Sequence, residues 1–229
     1  MNKWIVGLGC VVLLLIGGHF CLNSYNKKKK AVQAEVLRLK EERKNELLRK
    51  EKELAFNRIK LYADSAEAYI KGKGYREDYC FLVDFSIHSG KNRFFVWSFE
   101  KDTIVDSSLC CHGYGSKGYR STASKIIFSN VEGSYCSSLG RYQTAYRDVC
   151  SYGTLYQYRL YGLDETNDNA YRRAVTLHSF EGVPDKEIYP SHIPLGYSQG
   201  CLVVSNNMLD RLDVLLKSNT KKLLIWAYN

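Results

Sequence analysis

Around Lys71-Gly72-Lys73-Gly74 the spacing of apolar residues changes, and no other feature constrains the fold as much. Before it, Val32, Val36 and Leu39 form one helical stripe, and Leu47, Leu54 and Leu61 recur every seven residues. After it the period is two, as in a strand whose successive side chains point to opposite faces. Leu82-Val83-Asp84-Phe85-Ser86-Ile87 reads as a strand, Ser89-Gly90-Lys91-Asn92 as a turn and Phe94 to Phe99 as the returning strand. Lys101-Asp102 turns the chain again into Thr103–Cys111, which completes a β-meander. Arg141–Tyr146, Leu155–Tyr161, Ala174–Phe180 and Leu223–Tyr228 read as further strands. Ser205 is placed to cap a late helix whose buried stripe is Met208, Leu209, Leu212, Leu215 and Leu216. The expected class is mainly β, an antiparallel β-rich domain with a few helices over residues 73–229.

Two segments precede it. Trp4 to Leu22 is a 19-residue run whose only ionisable side chain is His19, and as a helix it would reach ~28 Å, close to the thickness of a bilayer core. Gly18-His19-Phe20 lacks the small residues of a signal-peptidase cut, and Phe20 before Cys21 disfavours lipidation. Residues 1–26 are therefore expected to be an uncleaved transmembrane anchor. Residues 27–72 are expected to form a long charged helical stalk, supported by pairs such as Glu46–Lys50. Its two apolar stripes do not share a register, since Val36 to Leu47 is an 11-residue step. The expectation is a monomeric spacer, with weak self-association the most it would offer.

The charge has a location. The net charge is +9, but residues 1–72 hold 15 Lys/Arg against 8 Asp/Glu, whereas residues 73–229 hold 18 against 16. The basic excess sits in the first third, so a nucleic-acid footprint on the domain is not supported. By the positive-inside rule Lys27–Lys30 would face the cytoplasm, and those lysines are read instead as part of the charged stalk.

Chemistry points first to Cys201. It follows Tyr197-Ser198-Gln199-Gly200 and precedes Leu202-Val203-Val204. A glycine beside a cysteine lets substrate approach closely, and backbone N–H groups near Gly200 and Cys201 can face a developing oxyanion, with Ser198 in support. A single cysteine is more often a buried structural residue. His178 changes the balance. It closes the alternating run Ala174-Val175-Thr176-Leu177-His178, 23 positions before Cys201. An imidazole within reach converts a thiol of ordinary pKa ~8.5 into a reactive thiolate. His112 ends another β run and opens the glycine loop His112-Gly113-Tyr114-Gly115-Ser116, which makes it a candidate substrate contact, with a backbone-satisfied turn histidine as the other reading. No helix follows Gly113 and Gly115 at a phosphate-loop spacing.

A histidine on a strand, about twenty residues, then Ser-x-Gly-Cys and an apolar strand resembles the L,D-transpeptidase catalytic domain, the YkuD-like fold. The family's usual run is Ser/Thr-His-Gly-Cys followed by Asn or Arg two residues on, and Gln199 and Val203 occupy those places here. One subgroup, the murein L,D-transpeptidase-like family, carries His-Gly-x-Gly-Ser, which reads here as His112 to Ser116. Phe128-Ser129-Asn130 and Ser137-Ser138-Leu139-Gly140-Arg141-Tyr142 follow in order, so the resemblance spans about residues 58–229. It implies a bacterial cell-wall acyltransferase acting on peptidoglycan stem peptides, with the domain outside the cytoplasmic membrane. Cys201 would attack a tetrapeptide stem and expel D-alanine, His178 would be the base, and Tyr197, Gln199, Ser138 and His112 would lie on the substrate side. It implies no metal and no organic cofactor.

Three other readings stand beside it. Water in place of an acceptor amine would give an L,D-carboxypeptidase or amidase. The departures at Gln199 and Val203 suggest a catalytically inactive peptidoglycan-binding module. A zinc site from His112, His178, His192 and Cys201 has no supporting metal-ligand spacing. Cys80, Cys110, Cys111, Cys136 and Cys150 are assigned to packing, although an exported domain could pair some, for instance Cys136 with Cys150.

Overall fold

The computed structural model describes the backbone of residues 3–118 and 120–229, and side chains at 23, 26–118 and 120–229. The expected span Trp4–Leu22 lies outside the described side chains. Among the described residues no helix is long and apolar enough to cross a membrane.

Helix α1 runs from Lys3 to Ile70. The chain divides into two compact units, residues 1–56 and 57–229. In the first, Arg38 pairs with Glu35 at 2.7 Å and Lys50 with Glu46 at 2.8 Å on solvent-facing turns. Such exposed pairs are screened by solvent and add little to stability. The heptad leucines Leu47, Leu54 and Leu61 all face solvent.

The second unit begins at residue 57 and takes in the last turns of α1, ahead of the boundary at 72 where the apolar spacing changes. Ile59, Ala63, Ala66 and Ile70 are buried there at steps of four, three and four, a different face from the leucines. The ring of Tyr62 stacks on Tyr228 with centroids 3.5 Å apart.

The strands follow in chain order: β1 (Tyr79–Asp84), β2 (Phe94–Ser98), β3 (Thr103–Ser108), β4 (Gly140–Val149), β5 (Tyr156–Gly162), β6 (Thr176–Ser179) and β7 (Leu202–Val204). Helix α2 (Asn206–Lys217) and strand β8 (Leu224–Tyr228) complete the chain. Ser205 caps α2 by accepting from the Met208 N–H, and Met208, Leu209 and Leu212 are buried. One sheet of eight strands has the order β3-β2-β1-β8-β4-β5-β6-β7. The first three strands form the expected meander, with Phe81 opposite Val96 and Phe94 opposite Ser108, but β1 begins three residues before the expected Leu82–Ile87 and ends at Asp84, so that Phe85–Ile87 lie in the turn.

The expectation of antiparallel pairing needs two corrections. β8 enters between β1 and β4 and runs parallel to β1, and β6 runs parallel to β7. Both parallel pairs join segments far apart in sequence, a long connection that parallel strands require.

The main core gathers Phe81, Val83, Phe94, Val96, Tyr142, Leu160, Leu177, Leu202 and Val204 under α2. A smaller cluster of Leu109, Cys111, Val183, Ile193 and Val203 lies on the other face of β7. Cys80, Cys110 and Cys111 are buried thiols, and no disulfide joins Cys136 to Cys150.

Candidate active site

The parallel pair β6–β7 builds the site. Leu177 lies opposite Leu202 and His178 opposite Val203. Leu177 and Leu202 both enter the main core, so the alternation sends Thr176 and His178, together with Cys201 and Val203, to the other face. Cys201 stands one residue before β7, in line with Thr176. The Thr176 hydroxyl donates to Cys201 Sγ at 3.6 Å, and the thiol in turn reaches the Ala174 carbonyl at 3.7 Å.

His178 is buried, and its Nδ1 lies 2.9 Å from the Ser179 carbonyl oxygen. A carbonyl only accepts, so Nδ1 carries the hydrogen, and in the neutral ring Nε2 is left with a lone pair. Burial pushes the imidazole pKa down, but hydrogen bonding and charge from Cys201, with the Ser179 carbonyl, hold it above its ordinary value. Burial likewise pushes the Cys201 thiol up, and His178 and Thr176 outweigh it, leaving the thiol below its ordinary value. The two shifts have opposite signs, as a thiolate–imidazolium pair requires.

The turn before Cys201 is held from within. Ser198 Oγ accepts from the Gly200 N–H at 3.0 Å and donates to the Cys201 carbonyl at 2.7 Å. The Tyr114 N–H donates to the Ser198 carbonyl at 3.2 Å. Gly200 has φ +114°, and a Cβ there would stand 2.6 Å from the Cys136 carbonyl oxygen. Only glycine satisfies both conditions. Ser198 and Gly200 thus shape the turn that presents Cys201. The Gly200 N–H is already committed to Ser198, which corrects its expected part in an oxyanion site.

The other expected residues divide sharply. Gln199 is exposed and its Nε2 donates to the Tyr114 hydroxyl at 3.5 Å. Tyr197 is half-buried and packs on Phe180, centroids 4.7 Å apart. These two lie on the turn that presents Cys201. His112 and Ser138 do not. His112 is buried with both ring nitrogens occupied: Arg93 Nη2 donates to Nδ1 at 2.9 Å, and Nε2 donates to the Thr122 carbonyl at 3.1 Å. Burial, then the charge of Arg93, pushes its pKa down to about 4. With both nitrogens engaged, to Arg93 and to the Thr122 carbonyl, His112 braces the glycine loop. Ser138 is also buried, donating to the Ser129 carbonyl at 2.9 Å and accepting from Arg173 at 2.5 Å. The four side chains of the zinc reading do not converge, since His192 stacks on His88 and Arg93 occupies His112.

Two residues beside the thiol were not singled out as site residues by their spacing. Thr176 follows from the period of two that also places His178. Arg173 has no such signal. Its Nη1 donates to the Ser129 carbonyl and its Nη2 to the Cys136 carbonyl at 2.6 Å, and its charge is felt by Cys201. It therefore ties the loop 129–138 to the segment that leads into β6. Val203, where the family pattern has Asn or Arg, is buried among Leu109, Cys111 and Ile193.

Two further features lie near these residues. The β4–β5 hairpin tip donates from Thr154 N–H to Ser179 Oγ at 3.0 Å and sets the Tyr152 ring 6.4 Å from that of His178. On the side of the glycine loop, a cavity of about 790 Å³ is lined by Tyr114, Lys117, Arg120, Tyr135 and Leu195.

A buried histidine on one strand and a cysteine at the turn into its parallel neighbour form an arrangement several folds can make. The sequence matches the L,D-transpeptidase catalytic domain family over residues 50–228. The chain belongs to that family. Solved structures with a similar course include the helical cell shape determining protein Pgp2 from Campylobacter jejuni, at 15% identity, covering 72% of this chain and 55% of that one, with a TM-score of 0.41. Another is an L,D-transpeptidase from Xylanimonas cellulosilytica, at 12% identity, covering 70% and 68%, with a TM-score of 0.38. The chain thus spans about half the length of the Pgp2 chain. A comparison with curated proteins gives no match. As a member of the L,D-transpeptidase catalytic domain family, the chain keeps the cysteine and strand histidine of the pattern and departs from it at Gln199 and Val203.

Proposed function

We propose that this domain is a cysteine acyltransferase acting on the tetrapeptide stems of peptidoglycan. The observation that carries the reading is the His178 tautomer: with Nδ1 donating to Ser179, Nε2 is the nitrogen available to take the Cys201 proton. Cys201 Sγ then attacks the carbonyl carbon before the terminal D-alanine. The carbonyl electrons move onto oxygen, where the Cys201 backbone N–H is the donor we assign. Collapse breaks the C–N bond, and the imidazolium returns its proton to the leaving amine. A stem amine attacks the thioester, loses its proton to His178 and forms a new amide, regenerating the thiol. Gln199 and Tyr197 border the stem. The apolar run 4–22 would anchor the protein with the domain outside the cytoplasmic membrane, and exposed Leu47, Leu54 and Leu61 would supply weak self-association.

Purified protein incubated with defined tetrapeptide muropeptides tests the reaction. Cross-linked product with release of D-alanine, lost in Cys201→Ala, is expected. Tripeptide without cross-links would assign water as the acceptor. Peptidoglycan binding without any acyl-enzyme would replace catalysis by simple recognition.

A further inference from the structure

A cavity of about 420 Å³ has neither Cys201 nor His178 in its wall and is lined in part by His88, Ser89, Arg93, Ser124, Lys125 and His192. The rings of His88 and His192 stack with centroids 3.7 Å apart. Each has its Nδ1 engaged: the Gly90 N–H donates to His88 Nδ1 at 3.0 Å, and His192 Nδ1 lies 2.9 Å from Ser89 Oγ. A nitrogen that accepts carries no hydrogen, so the neutral His88 ring holds its proton on Nε2 and is a donor there.

Arg93 is 1% exposed. Its Nε donates to the Cys110 carbonyl at 2.7 Å, its Nη2 to His112 at 2.9 Å, and its Nη1 makes only a long contact of 3.4 Å with the Ile87 carbonyl. These three bonds leave two of the guanidinium's five N–H groups for another acceptor. Among the described residues no carboxylate forms an ion pair with it. Asp84, whose charge it feels, is taken by Arg58 at 2.9 Å and by the Ser86 N–H and hydroxyl. A buried guanidinium without a counter-ion is costly, and the usual remedy is an anion. The surroundings point the same way. Burial first, then His192, Lys91 and Arg93, push the His88 imidazole below its ordinary value.

We propose that this cavity binds an oxyanion, the carboxylate or phosphate group of a small molecule, through Arg93, His88, His192 and Lys125. The inference goes beyond the acyl-transfer reading and does not depend on it. Arg93 also holds His112, so it is left intact in the test.

The full chain is titrated with N-acetylglycine and, separately, inorganic phosphate, while the histidine ring signals are followed by NMR; single His→Ala variants assign them. The proposal expects saturable shifts of the His88 and His192 signals with at least one probe and a stationary His178 signal. It also expects at least fivefold weaker binding in Lys125→Ala, with Cys201 acylation by a carbapenem unchanged. A response to phosphate alone names a phosphate source, and one to N-acetylglycine alone a carboxylate. The proposal is overturned by no saturable shift with either probe, by equal shifts with the uncharged N-acetylglycinamide, by binding undiminished in Lys125→Ala, or by His178 moving in their place. Because acylation is read separately, failure of the anion site and failure of the catalytic assignment are distinct results.

Discussion

His178 and His112 both close a β run and both are buried, yet the molecule employs them in opposite ways. His178 gives one nitrogen to a backbone carbonyl and leaves the other with a lone pair, and Cys201 raises its pKa. His112 gives both nitrogens away, one to a guanidinium and one to a carbonyl, and its pKa falls to about 4. The sign of the shift follows from the partner: a neighbour that becomes an anion favours imidazolium, whereas a neighbouring cation forbids it. Burial is shared by both and so decides nothing. The partner decides.

The sharpest way to break this comparison is His178→Gln. Loss of a general base costs typically ~10²–10⁴-fold in rate, so carbapenem acylation of Cys201 should fall by that order in a protein that keeps its melting temperature. A fall of less than tenfold would make His178 as structural as His112. Arg173→Ala is expected to come next. It releases the loop 129–138 and removes a charge near the nucleophile, and acylation should drop by roughly tenfold. Lys should restore little of it, because a point charge cannot span the Ser129, Ser138 and Cys136 oxygens.

His112→Ala should act on stability instead. Leaving a buried donor unpaired costs about 1–3 kcal/mol, seen as a lower denaturation midpoint, with acylation per folded molecule unchanged. The smallest effect concerns pH. A histidine held neutral in the fold binds its proton only after unfolding, so stability present above the unfolded pKa of ~6.5 should decline as pH falls from there toward about 4. The same titration of His112→Ala should show a shallower decline. An identical slope would assign the loss to other groups.

Much of this is legible in the sequence. The period of two located the strands other than β7, which the family resemblance supplied, and Ser205 marked the start of α2, because alternation and capping are local. Cys201 and His178 were legible because a glycine turn and a strand end carry recognisable local chemistry. The insertion of β8 beside β1 was not, since parallel pairing between distant segments leaves no trace in either. Nor was the saturation of His112, which depends on Arg93 arriving from another strand, nor the reach of Arg173 across three loop oxygens. The seven-residue spacing of Leu47, Leu54 and Leu61 runs across the start of the compact unit without marking it, because those leucines face solvent; the stripe of Ile59, Ala63, Ala66 and Ile70 marks it.

The most direct measurement is the pH dependence of Cys201 alkylation by iodoacetamide, followed by mass in the native chain and in His178→Gln. The account predicts a midpoint below the ~8.5 of an unperturbed thiol, rising toward that value when the imidazole is removed. A midpoint at or above the ordinary value, unmoved by the substitution, would contradict it.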